Sequence, residues 1–190
     1  FSYIAACPTA FQAVAHTALL LEGEGYRPLR ETEEWTLEPG GRYYVQRNGS
    51  SLIAFRLPHG RPAGFMMTAA HGDSPSFKIK ENAELPGESD TRLSVECYGG
   101  MLCASWMDRP LSIAGRAMVR TERGVAMRLV NLREPTALIP NVAIHMNRDA
   151  NNGMKYNFAV DMQPLYGGEK GGFRRRIAEA AGVAEDALLT

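Results

Sequence analysis

No charge of one sign dominates these 190 residues, because 21 Lys and Arg balance 21 Asp and Glu to a formal net charge of zero. A chain so balanced lacks the bulk field with which proteins hold nucleic acid or an anionic membrane. Near its isoelectric point it tends to associate, which points to an oligomer. No stretch approaches the roughly 18 consecutive apolar residues of a membrane span, and the longest apolar helix candidate lacks the basic start and cleavage site of a signal peptide. Cysteine is scarce: Cys7, Cys97 and Cys103 are odd in number and have no Cys-x-x-Cys spacing. That argues against a disulfide scaffold or a thiolate zinc cluster and makes a reducing cytoplasm the default compartment. G-x-G-x-x-G, phosphate-loop and G-x-S-x-G patterns are all missing, as are internal repeats and low-complexity tracts.

What is present is an ordinary globular composition with 19 Gly and 11 Pro, an excess of turn formers that favours many short strands over a helical bundle. The length suits one large domain or two small ones, and burial of about 70% of the unfolded surface needs no disulfide or metal to hold a core. Phe1 is not preceded by Met, and the chain stops in the apolar run Ala187-Leu188-Leu189-Thr190. Both ends lead us to expect a piece of a longer protein.

Thr9 is placed to cap a helix over 10–24, with Phe11, Val14, Ala15, Ala18, Leu19 and Leu21 near helical spacing and Gly25 at its end. Asn48-Gly49 predicts a hairpin between strands at 42–47 and 51–57. The continuous apolar run 65–71 predicts a strand buried on both faces. Beyond Asp73-Ser74-Pro75 the texture changes to half-buried strands at 76–80 and 92–98 and a second hairpin, 117–121 with 125–132. Gly99-Gly100 and Gly167-Gly168 mark bends. A short helix over 174–181 ends at Gly182, and 184–189 is a candidate for another. A boundary near 75–90 separates an α/β start from a β-rich second half.

The best candidate for chemistry is His71-Gly72-Asp73-Ser74-Pro75, since active groups in α/β sheets collect where loops leave the carboxyl ends of strands. A carboxylate two residues after the imidazole can accept its second N–H and fix its tautomer, as around many zinc-bound histidines. The same pair also serves simply to satisfy a sheet end. One His is not a metal site, which needs about three protein ligands. His145 follows an apolar run and precedes a loop with Asn147, Asn151 and Asn152; ligand, substrate contact and surface strand end all remain open for it. His16 and His59 read as solvent-facing. Ser74 has no nucleophile elbow, and Pro75 removes an N–H that an oxyanion hole would use. Arg174-Arg175-Arg176 reads as a solvated face. Asp108 and Arg109 suggest a pair holding a turn, and Arg109 or Lys78 could meet an acidic substrate.

Taken together, ordered motifs over nearly the whole chain resemble the aspartyl aminopeptidase family of co-catalytic metallopeptidases. They are Cys7-Pro8-Thr9-Ala10-Phe11, Gly40-Gly41-Arg42-Tyr43-Tyr44-Val45, Arg47 through Phe55, Ala70-His71-Gly72-Asp73-Ser74-Pro75 through Lys80, Tyr98-Gly99-Gly100, Asp108-Arg109-Pro110-Leu111-Ser112, and Ile139-Pro140-Asn141 through Arg148. The resemblance implies an α/β fold: the start of a zinc-exopeptidase-like catalytic domain over 1–80, then an incomplete, β-rich inserted dimerisation domain over 81–190. It implies a zinc-dependent aminopeptidase that removes N-terminal Asp or Glu from peptides by metal-activated water attack. Two Zn2+ would serve each complete site, with Co2+ or Mn2+ as substitutes. His71 would be a metal ligand, Asp73 its supporting carboxylate, and His145 a substrate or transition-state contact acting in trans. The implied partners are the peptide and further copies of the chain, as dimers building a dodecamer, with neither nucleic acid nor membrane.

Two positions depart from the family pattern, Gln12 in place of His and Gly72 in place of Thr. The family's remaining carboxylate ligands, Glu base and last His lie downstream and have no counterpart here, so the 190 residues alone are expected to be inactive. The rival reading is a non-catalytic oligomerisation or binding module.

Overall fold

The computed structural model describes residues 1–190, the side chain of Pro86 excepted. It is a mixed α/β structure whose chain divides into two compact units, Phe1–Ser74 and Pro75–Thr190.

The first unit opens with a short helix α1 (Ser2–Ala6) and continues into α2 (Ala10–Gly23). Thr9 caps α2 as its spacing predicts: its hydroxyl accepts from the Phe11 N–H at 3.3 Å and also bonds the Gln12 carboxamide. Thr9-Ala10-Phe11-Gln12 is the Ser/Thr-x-x-Glu/Gln signature of a capping box. Gln12 is therefore buried in a structural role at the helix start. Ala13, Val14 and Ala18 bury the inner face of α2, whereas Leu19, expected inside, is 66% exposed.

A three-stranded sheet follows, with β1 (Arg27–Leu29) parallel to β2 (Arg42–Arg47), and β2 antiparallel to β3 (Ser51–Arg56). Asn48 and Gly49 both take positive φ (53° and 64°), the backbone a primed hairpin turn requires. Helix α2 lies against this sheet. Tyr44 is buried there and donates to Glu22 Oε1 at 2.5 Å, and burial followed by that bond pushes its phenol up to about 12.

The apolar run 65–71 is a correction to the sequence reading. It forms no strand, and Phe65, Met66 and Met67 are 91%, 101% and 87% exposed. A strand buried on both faces needs a hydrogen-bonding neighbour and packed layers, and among the described residues no strand pairs with this segment.

In the second unit β4 (Ser76–Pro86) and β5 (Thr91–Tyr98) form an antiparallel pair with a register shift between Ile79 and Glu84. Three two-residue strands extend it: β6 (Pro110–Leu111), β9 (Ala137–Leu138) and β10 (Leu165–Tyr166), in the order β4-β5-β10-β9-β6. Between them in sequence lies a separate hairpin, β7 (Ala114–Thr121) with β8 (Gly124–Asn131), as the second turn signal predicts. Helix α3 (Phe173–Ala181) ends at Gly182, whose φ of 70° is the left-handed cap that glycine adopts without strain. The expected terminal helix is only a 3-10 turn, Glu185–Ala187.

Two apolar clusters hold this unit. Ala117, Val119 and Val130 of the hairpin pack with Ala178, Ala181 and Leu188, while Leu93, Val95, Ala137, Tyr166 and Phe173 form the other. Ile177 of α3 packs against both and so joins them. Three arginines in the first turn of α3 oppose its dipole. Glu84 offsets them by accepting the Phe173 N–H at 2.8 Å and the Arg174 N–H at 3.4 Å. The triplet is more than a solvated face: Arg174 reaches the Leu188 carbonyl, Arg175 Glu169 and Arg176 Glu134.

Candidate functional site

His71 sits in a stretch without regular structure at the end of the first unit, its side chain 84% exposed. Its Nδ1 lies 2.8 Å from the Asp73 main-chain carbonyl oxygen and 3.3 Å from Asp73 Oδ1. Both partners are acceptors, so Nδ1 is the donor, and in the neutral imidazole this leaves the lone pair on Nε2. That is the tautomer a metal-ligating imidazole uses. The carboxylate the spacing singled out is the longer of the two contacts, and the main-chain oxygen is the nearer acceptor. Gly72 lies between them with no left-handed φ, and a Cβ there would meet nothing within 4 Å.

A zinc centre needs about three protein ligands. Among the described residues no group of three or more His, Cys, Asp or Glu side chains comes together to hold a metal ion. The donor set among the described residues fits one ligand, His71, rather than a complete centre.

His145 belongs to the second unit, in a turn-rich loop between β9 and β10, and is exposed. Successive turns shape its segment, with the Met146 N–H donating to Ala143 O at 2.8 Å and the Asn147 N–H to Ile144 O at 3.3 Å. The loop is tied near both ends. Asp108 Oδ1 accepts the Asn141 N–H at 2.8 Å. Gln163, only 6% exposed, accepts from the Val95 N–H at 2.9 Å and donates to Phe158 O at 2.7 Å. Between these ties Val142, Ile144 and Met146 face outward at 51%, 48% and 80% exposure.

Asp108, expected to pair with Arg109, thus serves the Asn141 backbone instead, helped by its own positive φ of 54°. Gln163 carried no sequence signal, since Val95, the strand residue it ties to the loop, lies 68 residues away. Lys78 meets its cross-strand neighbour Glu96 at 3.3 Å, while Arg109 is exposed. His16 packs against Tyr3 with ring centroids 5.4 Å apart and the rings tilted by 58°, and His59 is exposed beside Gly40. All three cysteines are free thiols. No helix among the described residues is long and apolar enough to cross a membrane.

Residues 3–184 match the family described as Aminopeptidase I zinc metalloprotease (M18). A curated "Probable M18 family aminopeptidase 2" of Pseudomonas fluorescens (strain SBW25) is 42% identical over 98% of this chain and 46% of its own length. Among solved structures, a chain of the cryo-EM structure of the Ape4 and Nbr1 complex superposes with a TM-score of 0.92 at 29% identity, covering 100% of this chain and 41% of that one. The S. cerevesiae mApe1 dodecamer matches at a TM-score of 0.79 and 25% identity, covering 100% of this chain and 45% of its own. The chain spans less than half the length of these relatives.

Proposed function

The chain belongs to the aminopeptidase I zinc metalloprotease (M18) family, and from that premise we propose that it is the front part of a metallo-aminopeptidase releasing N-terminal residues, acidic ones above all, from peptides. The observation that carries this reading is the placement of His71, whose Nδ1 is engaged by Asp73, the arrangement in which a neutral imidazole offers Nε2 to a metal. Zinc, when bound, supplies the Lewis acidity for peptide hydrolysis. His71 would hold it, with Asp73 keeping the imidazole in the tautomer that leaves Nε2 to the metal. The relatives' remaining length has no counterpart in these residues, and we place the other ligands and the general base there. Residues 1–80 then belong to the catalytic domain and 81–190 to the dimerisation domain.

His145 acts at a neighbouring subunit's site, where an imidazole on an outward-facing loop meets the substrate or steadies developing negative charge. The dodecameric relative supports assembly of further copies of this chain, and three free thiols with no disulfide suit a cytoplasmic setting. The absence of a three-donor cluster among the described residues favours a second reading for the 190 residues alone, that of a folded module without activity.

Zinc content tests the reading. Elemental analysis of the intact protein should give about two ions per chain, and the 190-residue chain should retain none through dialysis. His71→Ala in the intact protein should lose zinc and all activity while its assembly is kept. A His71→Ala protein with full zinc and full turnover would remove His71 from the site.

A further inference from the structure

We propose that Arg42 and Arg56, with His59 and Arg61, form a binding site for an oxyanion of the phosphate class on the first unit. The starting point is the register of the β2–β3 hairpin, in which Arg42 stands directly opposite Arg56. Cross-strand partners share one face with Cβ atoms about 5 Å apart, and like charges so placed destabilise the pair. Elsewhere in this unit arginines are neutralised: Arg27 pairs with Glu38 at 2.6 Å, and Arg47 pairs with Glu31. Among the described residues Arg42, Arg56 and Arg61 have no carboxylate partner at all.

These residues border two adjoining depressions. A depression of about 260 Å³ is bounded by Gly40, Arg42, Arg56 and His59. A second of about 460 Å³ adjoins it through Arg56, Leu57 and Pro58 and is bounded further along by Arg61. No acidic residue lines either one. In a chain with zero net charge, this is a local concentration of positive charge with no carboxylate ion-paired to it among the described residues.

The walls are set in place beforehand. Arg42 donates through Nη1 to the Glu24 carbonyl at 2.8 Å, and its guanidinium lies 6.0 Å from the centre of the Tyr26 ring. The rim is tied by the Leu57 N–H to Gly41 O at 2.9 Å and the Gly40 N–H to Pro58 O at 3.2 Å. Gly40 has φ +78°, and a Cβ there would fall 2.4 Å from His59 Cε1, so only glycine lets main chain and imidazole meet. Guanidinium forks match phosphate oxygens in pairs. Arg42, Arg56 and His59 border one depression and Arg56 and Arg61 the adjoining one, so Arg56 is common to both, and the three oxygens and higher charge of a phosphate group suit this donor set better than a carboxylate does. A like-charge pair kept in an otherwise consistent hairpin is the kind of local conflict that marks a functional position.

The test is calorimetric titration of the intact protein with inorganic phosphate, chloride being held at matched ionic strength. Saturable binding is expected, and Arg56→Gln or Arg61→Gln should weaken it about tenfold or more, as for loss of a charged hydrogen bond. Arg61 lies outside the strands, so its variant reports on binding even if the Arg56 change disturbs the hairpin; circular dichroism checks both. Without phosphate, Arg56→Gln should melt higher than the parent, because the repulsion is gone. Absence of saturable binding overturns the proposal. So does phosphate bound equally well by both variants, which would place the anion on bound zinc instead.

Discussion

His71 is held through a main-chain oxygen as well as a carboxylate, and the two contacts respond differently to mutation. Asp73→Ala removes Oδ1 at 3.3 Å but leaves the carbonyl at 2.8 Å. In the intact protein it should therefore lower zinc affinity about 10–100-fold, short of the complete loss expected for His71→Ala. Zinc-chelator competition reads this directly. An Asp73→Ala protein as empty as His71→Ala would show that the carboxylate, not the carbonyl, orients the ring. The His-x-Asp spacing made the side-chain contact legible in advance. The main-chain contact was not, because it depends on how the backbone turns at Gly72. Gln12 shows the reverse: set aside as a departure from a family pattern, it is a buried capping residue whose signal, Thr9 three positions earlier, stood in the sequence.

Elements with short-range signals formed where expected. Thr9 starts α2, Asn48-Gly49 turns the first hairpin, Gly182 ends α3, and each depends on backbone preferences of a few adjacent residues. The run 65–71 failed as a strand because apolar composition records a tendency to be buried, not a neighbour to pair with. The contact of α2 with β2 carries a pH dependence. Tyr44 is raised from 10.0 to about 12 in the folded protein, first by burial and then by its bond to Glu22. The protonated phenol is thus favoured by folding: its contribution is whole below about pH 10 and is lost as pH rises through about 12. Denaturant unfolding at about pH 8 and about pH 11 should show a loss of stability that Tyr44→Phe diminishes. An unchanged loss in the phenylalanine variant would assign the alkaline transition to another group.

At the scale of the whole molecule, the proposed division of labour puts the metal ligand in one unit and the substrate contact in the other, on different subunits. His71→Ala and His145→Ala proteins, each inactive alone, should recover activity when co-expressed into mixed oligomers. A subunit with intact His71 then meets a neighbour with intact His145. Verified mixed oligomers with no activity would end the in-trans role of His145. The sequence also contained the zero net charge that excludes bulk electrostatic partners. It did not disclose that Arg42 and Arg56 face each other: a two-residue Asn48-Gly49 turn would pair Arg47 with Ser50, whereas the observed register pairs Arg47 with Ser51 and so sets Arg42 opposite Arg56.

By itself, then, the sequence determined what acts within a few residues: helix ends, hairpin turns, the His71–Asp73 spacing, and the ordered motifs that identify the family. Tertiary structure decided what depends on distant partners. It tied Gln163 to Val95 across 68 residues, seated α3 on two clusters through Ile177, placed Glu84 at that helix's first turn, and left 65–71 unpaired. Local preferences are encoded in adjacent residues. A buried polar group or an apolar run acquires its role only when the chain brings its partner to it.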